Sequence, residues 1–269
     1  MFELQSDQRY QMPAHFGPRP LHPGASGWYH DVTALSVSYV TDADALNALL
    51  PAPYRAAEEP RISVTYAANR KVDWLAGHGY NMIAVNAEVV FEGKEEQLEG
   101  NFCLVIWENL CDPILSGREL QGIPKVYADI PDHQVNSGNW SASASHFGHR
   151  IVELKASALR EPTAEEVIAH ETRQRGRNHS LGWRYMPGIG GAGHAINEAT
   201  TYHSETQLRE AWLAEGDIQW SKLTWEQNPT QFHFVNALAD LPVRHLLPAL
   251  ITRGSTNLIL PDQPTRIIC

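Results

Sequence analysis

Lys125 is the residue in this chain whose surroundings best suit covalent chemistry. It follows the rigid Ile123-Pro124 step, and apolar stretches lie on both sides of it, at residues 102–110 and 126–130. A lysine ammonium in water has a pKa of about 10.4, and burial among apolar groups can lower such a value by about 3–5 units. The neutral amine can then attack a ketone and form a Schiff base, which draws electrons from the neighbouring carbon–carbon bond. The simpler alternative is a solvated surface lysine.

The segment around this lysine resembles a known signature. Residues 117–125 are Gly-Arg-Glu-Leu-Gln-Gly-Ile-Pro-Lys, which is similar to the motif of the acetoacetate decarboxylase superfamily, where the lysine forms the Schiff base. Residues 39–53, 238–244 and 258–261 also resemble that superfamily, in the right order along the chain. The resemblance implies an α+β fold that is mainly antiparallel β, with a barrel-like sheet that closes on itself and a few short helices.

Gln121 and Glu88 are the other candidate catalytic residues. A glutamine four positions before the lysine resembles superfamily members that act as aldolase-dehydratases on pyruvate, in which an amide can hold the substrate carboxylate. Glu88 lies on a predicted strand that should line the cavity, where a glutamate can carry protons. Each residue also has a simpler interpretation, because the Gln121 amide can bridge backbone in a turn and Glu88 can face solvent.

Five further residues are candidates for contacting the substrate. Arg118 and Glu119 belong to the motif itself, although a salt bridge between them that only shapes the motif is the favoured interpretation. Met82, Tyr66 and His30 fall on segments that the resemblance places around the cavity. All five therefore remain hypotheses for substrate binding.

The chain departs from the decarboxylases of the superfamily in several ways. Val126 follows the lysine where those enzymes have a second lysine, so burial must be the main cause of any activation of the amine. Residues 28–32 contain no arginine, and the glutamates that decarboxylases place around the cavity are not reproduced. No tyrosine follows Tyr202, whereas the aldolase members have a C-terminal tyrosine. The departures favour aldol chemistry but leave the loss of water open.

These residues predict a Schiff-base carbon–carbon lyase that uses no cofactor and no metal. The favoured reaction joins pyruvate to an aldehyde through an imine and enamine of Lys125, with dehydration as a further step. One alternative is decarboxylation of a β-keto acid by the same lysine, and another is a non-catalytic ligand-binding member of the fold. The predicted partners are a small keto acid, an aldehyde and further copies of the chain in a homo-oligomer.

Composition argues against several other classes of protein. The 269 residues include 31 acidic and 21 basic side chains, for a net charge of −10, whereas nucleic-acid binding needs a basic surface. No apolar run approaches the roughly 20 residues of a membrane helix. The polar, acidic first residues are unlike a signal peptide. Three cysteines without CxxC spacing suggest neither a disulfide framework nor a zinc site. We therefore expect a cytoplasmic protein without membrane or nucleic-acid partners.

Hydrophobic alternation predicts many strands and few helices. Strands are predicted at residues 29–39, 61–68, 80–91, 100–107, 139–146, 149–158, 195–202, 207–213 and 231–236. A short helix should follow Thr41, and a longer one is predicted at residues 163–174, where Thr163 and Glu166 form a capping box. Residues 243–251 are predicted to be a helix or a bent connection.

The domain organisation is predicted to be simple. Residues 1–27 contain four prolines and few periodic apolar positions, which indicates an irregular arm over its own domain or a neighbouring subunit. Residues 28–269 should form a single domain. The segment 188–193 formally fits GxGxxG, but no helix is predicted after it, so a glycine-rich hairpin loop is the better interpretation.

Overall fold

A computed structural model describes residues 2–20, 22–174, 179–260 and 262–269. Met1, Leu21 and Pro261, the last in a segment that carries the resemblance, lie outside the described residues. The α-helices are α1 (Ala43–Asn47), α2 (Cys111–Gln121), α3 (Ala164–Gln174) and α4 (Phe232–Asp240). The strands are β1 (Trp28–Val40), β2 (Tyr54–Ala56), β3 (Arg61–Val72), β4 (Tyr80–Glu92), β5 (Gln97–Glu108), β6 (Lys125–Tyr127), β7 (Gln134–Asn136), β8 (Asn139–His146), β9 (His149–Arg160), β10 (His179–Pro187), β11 (His194–Tyr202), β12 (Glu205–Trp220), β13 (His245–Leu246), β14 (Ala249–Asn257) and β15 (Arg266–Ile268).

One large, mainly antiparallel sheet contains these strands. Its hydrogen-bonded order is β15-β11-β10-β5-β4-β3-β1-β14-β12-β9-β8-β7, with β2, β6 and β13 paired at the side of this path. Only the pairs β10–β5 and β5–β6 are parallel among the described strands. The predicted α+β class is confirmed. The sheet is open, however, because within the described chain its order has two ends, β15 and β7.

The sheet has a different apolar cluster on each of its faces near β4 and β5. Side chains alternate between the two faces of a strand, and Ile83, Val85 and Trp107 point into the main core together with α4. Ala84 and Ile106 point the other way, into a small separate cluster. This second face carries Lys125, since the register of the parallel pair places Lys125 beside Ile106.

The predicted elements are mostly confirmed, with shifts of a few residues at their ends. The capping box of α3 is present, with Glu166 N donating to Thr163 Oγ1 at 3.3 Å and Thr163 N to Glu166 Oε2 at 2.9 Å. The glycine-rich segment 188–193 is the loop between β10 and β11, as predicted. None of the described helices combines the length and hydrophobicity that crossing a bilayer requires.

Two element predictions are wrong. Residues 231–236 were expected as a strand but belong largely to helix α4, because Val235 and Leu238, three residues apart, both face the core. Residues 243–251 were expected as a helix or bend but form β13 and the start of β14, which pair with β1. In both cases the apolar run is too short to distinguish a helix from a strand, and tertiary packing determines which of the two forms.

The N-terminal arm contacts its own domain at several places, including a hydrogen bond from Ser26 Oγ to Asp73 Oδ2 at 2.6 Å. Gln11 Nε2 donates to Glu119 Oε2 at 3.2 Å, and the Arg19 guanidinium lies 5.7 Å from the centre of the Trp74 ring. One of the two predicted positions of the arm, over its own domain, is therefore seen. The division of the chain after residue 27 stays a prediction.

Candidate active site

Lys125 begins strand β6 and is held in place by helix α2. Its side chain is 8% exposed. A Cβ atom added to Gly117 would lie only 2.5 Å from Lys125 Cε, so the absence of a side chain at Gly117 leaves the space that the lysine fills. The chain turns from α2 into β6 at Gly122, whose φ of 74° is in the left-handed region that favours glycine. The lysine is thus shielded from water, as its sequence context predicts.

Glu108 is the ionic partner of Lys125. Its Oε1 lies 2.8 Å from Lys125 Nζ, and its side chain is 0% exposed. Burial raises the pKa of the Glu108 carboxyl, and the nearby Lys125 opposes that shift. Neither carboxylate oxygen makes a well-formed hydrogen bond among the described residues: Oε1 is in ion-pair contact with Lys125 Nζ, and Oε2 has no partner. The pair can therefore exchange a proton, and it offers one unoccupied acceptor in a dry place.

An apolar cluster surrounds the pair on this face of the sheet. It consists of Ala84, Cys103, Ile106 and Ile123, with Met82 and Tyr202 packed against it. Burial raises the pKa of the Cys103 thiol to about 12, so this thiol stays protonated and uncharged near neutral pH. The surroundings of the pair are therefore of low polarity, which strengthens the electrostatic interaction within it.

A group of aromatic side chains with hydrogen-bonding tips lies next to the pair. Tyr29 and Tyr80 are each 4% exposed, and their hydroxyl oxygens lie 3.2 Å apart. Trp74 Nε1 donates a hydrogen bond to the Tyr29 hydroxyl at 3.0 Å. Met82, directly opposite Glu108 in the sheet, also packs against this group.

The residues of the sequence motif fix the main chain of Lys125 and the end of helix α2. Arg118 Nη1 donates to the main-chain carbonyl oxygen of Lys125 at 3.0 Å, and Glu119 accepts from Gln11. Arg118 and Glu119 form no ion pair with each other among the described contacts, so the salt bridge favoured from the sequence is absent. The main-chain carbonyl of Gln121 accepts from Thr200 Oγ1 at 2.8 Å, which fixes the end of α2.

The other predicted site residues differ in their distance from the pair. Met82 is brought to it, opposite Glu108. Glu88 is six residues further along β4, roughly 20 Å at strand spacing, where it forms an ion pair with Arg173. Tyr66 points into the main core on the opposite face of the sheet. His30 is exposed and lies 2.9 Å from Asp73.

Sequence reasoning missed the residues that complete the site. Glu108, Tyr29 and Tyr80 come from three different strands, and only the register of the sheet brings them to one face. A weak signal existed for Glu108, because an acidic residue closes an otherwise apolar run at residues 102–107. Acidic side chains are seldom buried without a partner, so this position could have been paired with a buried lysine.

Comparisons with known proteins agree with the resemblance. A family model described as acetoacetate decarboxylase matches residues 11–258. A curated acetoacetate decarboxylase from Chromobacterium violaceum is 27% identical over 222 residues, covering 79% of this chain and 78% of that protein. One from Burkholderia multivorans is 23% identical over 239 residues, covering 86% and 85%.

Solved structures show the same fold. A structure titled as structural studies of acetoacetate decarboxylase superposes with a TM-score of 0.74 at 18% identity, covering 97% of this chain and 95% of that one. The enduracididine biosynthesis enzyme MppR complexed with pyruvate superposes with a TM-score of 0.62 at 14% identity, covering 89% of each chain. With the family model matching most of its length, this chain belongs to the acetoacetate decarboxylase family.

Proposed function

We propose that this protein is a Schiff-base-forming carbon–carbon lyase that acts on a small keto acid through Lys125. The favoured reaction is an aldol addition of pyruvate to an aldehyde, with loss of water as a further step. The observation that carries the proposal is the buried pair in which Lys125 Nζ lies 2.8 Å from Glu108 Oε1. Such a pair holds both the nucleophile and a group that can take and return its proton.

The first step is formation of the neutral amine. A proton passes from Lys125 Nζ to Glu108, whose raised pKa makes the carboxyl a better acceptor than one in water. The amine then attacks the 2-oxo carbon of the keto acid, and one of its two N–H protons passes to the oxygen. The carbinolamine that forms loses its hydroxyl as water. The leaving hydroxyl takes the proton that Glu108 had accepted, so the product is a protonated imine beside a carboxylate.

The second step is formation of the enamine. The Glu108 carboxylate removes a proton from the carbon next to the imine. The electrons of that C–H bond form the C=C bond of the enamine, and the π electrons of the C=N bond move to the nitrogen. The enamine carbon then attacks the aldehyde carbonyl, whose oxygen takes the proton back from Glu108. Water finally hydrolyses the imine and frees Lys125. A base beside the imine is necessary for this route, and Glu108 with its unpartnered Oε2 meets that need.

Decarboxylation is a second candidate, favoured by the name that the curated relatives share. In that reaction the imine of a β-keto acid takes up the electrons of the bond to the carboxylate, and carbon dioxide leaves. No base is needed to form the enamine, and because Glu108 is a carboxylate at that stage, the proton that the enamine carbon takes up comes from water. We favour aldol chemistry because the structure supplies a buried base next to the lysine.

Borohydride trapping tests whether an imine forms. The protein is incubated with pyruvate, and separately with acetoacetate, before reduction and peptide mass analysis. A mass increase on Lys125 is expected, and Lys125→Met should abolish it. Lys155→Met is the matched control, because Lys155 is exposed and paired with Glu153. Labelling that persists in Lys125→Met, or no adduct with either keto acid, contradicts the proposal, and the second result supports a ligand-binding protein.

Two assays then separate the reactions. Release of carbon dioxide from acetoacetate indicates decarboxylation, whereas a conjugated product absorbing in the near ultraviolet from pyruvate and an aromatic aldehyde indicates aldol addition with dehydration. A homo-oligomer, which rests on the resemblance, and a cytoplasmic location, which rests on the composition of the sequence, also belong to the proposal. Light scattering after gel filtration tests the first.

A further inference from the structure

The hydrogen bonds around Tyr29 and Tyr80 leave one proton without an acceptor. The group has three donor protons, one on Trp74 Nε1 and one on each phenol. The indole can only donate, and its proton goes to the Tyr29 oxygen at 3.0 Å. The contact between the two phenols, at 3.2 Å, uses one more proton. The other phenol proton has no acceptor among the described residues.

An unused donor in such a place is unusual. Both tyrosines are 4% exposed, and buried polar groups in proteins are nearly always hydrogen-bonded. Leaving such a bond unmade is unfavourable, because the buried group has lost its hydrogen bonds to water. An unused buried donor beside the Lys125–Glu108 pair is therefore free to bind a substrate oxygen that reaches the lysine.

The phenol pair lies beside the Lys125–Glu108 pair. Tyr80 is two residues before Met82, which is directly opposite Glu108, so Tyr80 and Glu108 share a face of the sheet. Diagonal neighbours of this kind are roughly 7–8 Å apart, within reach of aromatic side chains. Burial raises the pKa values of both phenols, and the charge of Glu108 adds to that shift. The phenols are therefore neutral donors near neutral pH.

The site thus combines a spare donor with a spare acceptor. The donor is a phenol proton of the tyrosine pair, and the acceptor is Glu108 Oε2. A carbonyl oxygen accepts hydrogen bonds, and the carbinolamine hydroxyl that replaces it both accepts and donates. An oxygen on the carbon attached to Lys125 Nζ therefore matches what the two pairs offer.

We propose that the Tyr29–Tyr80 pair is the oxygen-binding site for the substrate. Its free phenol O–H donates a hydrogen bond to the carbonyl oxygen that becomes the carbinolamine hydroxyl. This inference rests on the proposed function. The phenols transfer no proton of their own. The hydroxyl leaves as water with the proton that Glu108 accepted from Lys125, while the nitrogen lone pair closes the C=N bond. The hydrogen bond holds the oxygen in place as charge shifts onto it.

The test uses Tyr29→Phe and Tyr80→Phe, with Tyr39→Phe as the matched control. Tyr39 is equally buried, at 0% exposure, but lies in the main core. Each protein is mixed with saturating pyruvate, quenched with borohydride at increasing times, and analysed for the adduct on Lys125. Removing one donor to a developing oxyanion typically slows a reaction about 10²–10³-fold, so we expect at least one of the two variants to form the imine ten or more times more slowly than Tyr39→Phe.

The outcomes separate this inference from the proposed function. If the wild-type protein gives no adduct with pyruvate or acetoacetate, the proposed function has failed, and this inference falls with it. If the wild type is trapped but both tyrosine variants react less than tenfold more slowly than Tyr39→Phe, only the oxygen-binding role is overturned. Thermal unfolding of all three variants shows whether a slow rate comes from a folded protein. Because saturating pyruvate removes any effect on affinity, a slower rate reports the chemical step.

Discussion

Replacing Glu108 gives the most direct test of how the buried pair works. Removing one member of a buried ion pair leaves the other charge without compensation, which costs about 3–5 kcal/mol of unfolding free energy. Glu108 is 0% exposed and Lys125 is 8% exposed, so the full cost applies to Glu108→Leu. Lys125→Met should cost less, because the carboxyl left behind can take up a proton, an outcome its raised pKa favours.

The double variant Lys125→Met/Glu108→Leu provides the control. Replacing both members of a buried pair by apolar residues of similar volume is often neutral or stabilising. We therefore expect the double variant to recover most of the stability lost in Glu108→Leu, as measured by denaturant unfolding. Losses that simply add would show that the two side chains do not interact, and the reasoning from the 2.8 Å contact would then be refuted.

The same residue is tested separately for its part in the chemistry. Glu108→Gln keeps the shape of the side chain but removes the base. Exchange of the pyruvate methyl protons in deuterated water, followed by proton NMR, reports removal of a proton from the carbon next to the imine. General bases contribute about 10²–10⁴-fold to such steps, so exchange should slow by at least that lower factor. Exchange within threefold of the wild-type rate would show that another group is the base.

Three further variants test the packing around Lys125, the predicted role of Glu88 and the cap of helix α3. Gly117→Ala places a methyl group against Lys125 and should slow imine trapping by about 10²-fold, whereas Ser116→Ala on the same helix should not; equal rates would contradict the packing argument. Glu88→Gln should leave trapping within threefold of the wild-type rate, because its ion pair with Arg173 lies far along β4, and a large loss would restore the catalytic role predicted from the sequence. Glu166→Gln should lower the melting temperature at neutral pH. The hydrogen bond from Arg160, and after it the one from the Thr163 backbone N–H, lower the pKa of Glu166 to about 2. The stabilisation by the Glu166 carboxylate is therefore fully present above the unfolded pKa of 4.5 and is lost as the pH falls toward 2. A stability difference between wild type and this variant that persists below pH 2 would contradict that assignment.

The parts of the fold that sequence could predict are those governed by local pattern. Long alternating strands such as β8 and β9, and the capping box of α3, follow from neighbouring residues alone. Residues 231–236 could not be assigned in this way, because a short apolar run suits a strand or a helix equally well. Its helical state is fixed by contacts with the main core.

The site also has a part that local sequence predicts and a part that depends on tertiary packing. Lys125 and the residues of its motif are contiguous in sequence, so the buried lysine could be predicted. The residues that meet it are separated from it along the chain by 17 residues or more, and a shift of one residue in register would turn them to the opposite face. Tyr66 shows the consequence, since it was predicted at the cavity but faces the main core. Distances along the chain do not determine register, which depends on the packing of the whole sheet.

The ionic partner of Lys125 also changes the physical account of the site. Val126 stands where decarboxylases of the superfamily have a second lysine, so the sequence alone indicates only burial as a cause that favours a neutral amine. The structure adds Glu108 as a buried carboxyl next to Lys125 Nζ. Burial raises the pKa of this carboxyl and the nearby Lys125 opposes that shift, so the carboxyl is a better proton acceptor than one in water. A second lysine would favour the neutral amine by repulsion but could not remove a proton from the substrate, whereas a carboxylate at this place can. That difference is the physical reason why we propose enamine formation from a keto acid at this site.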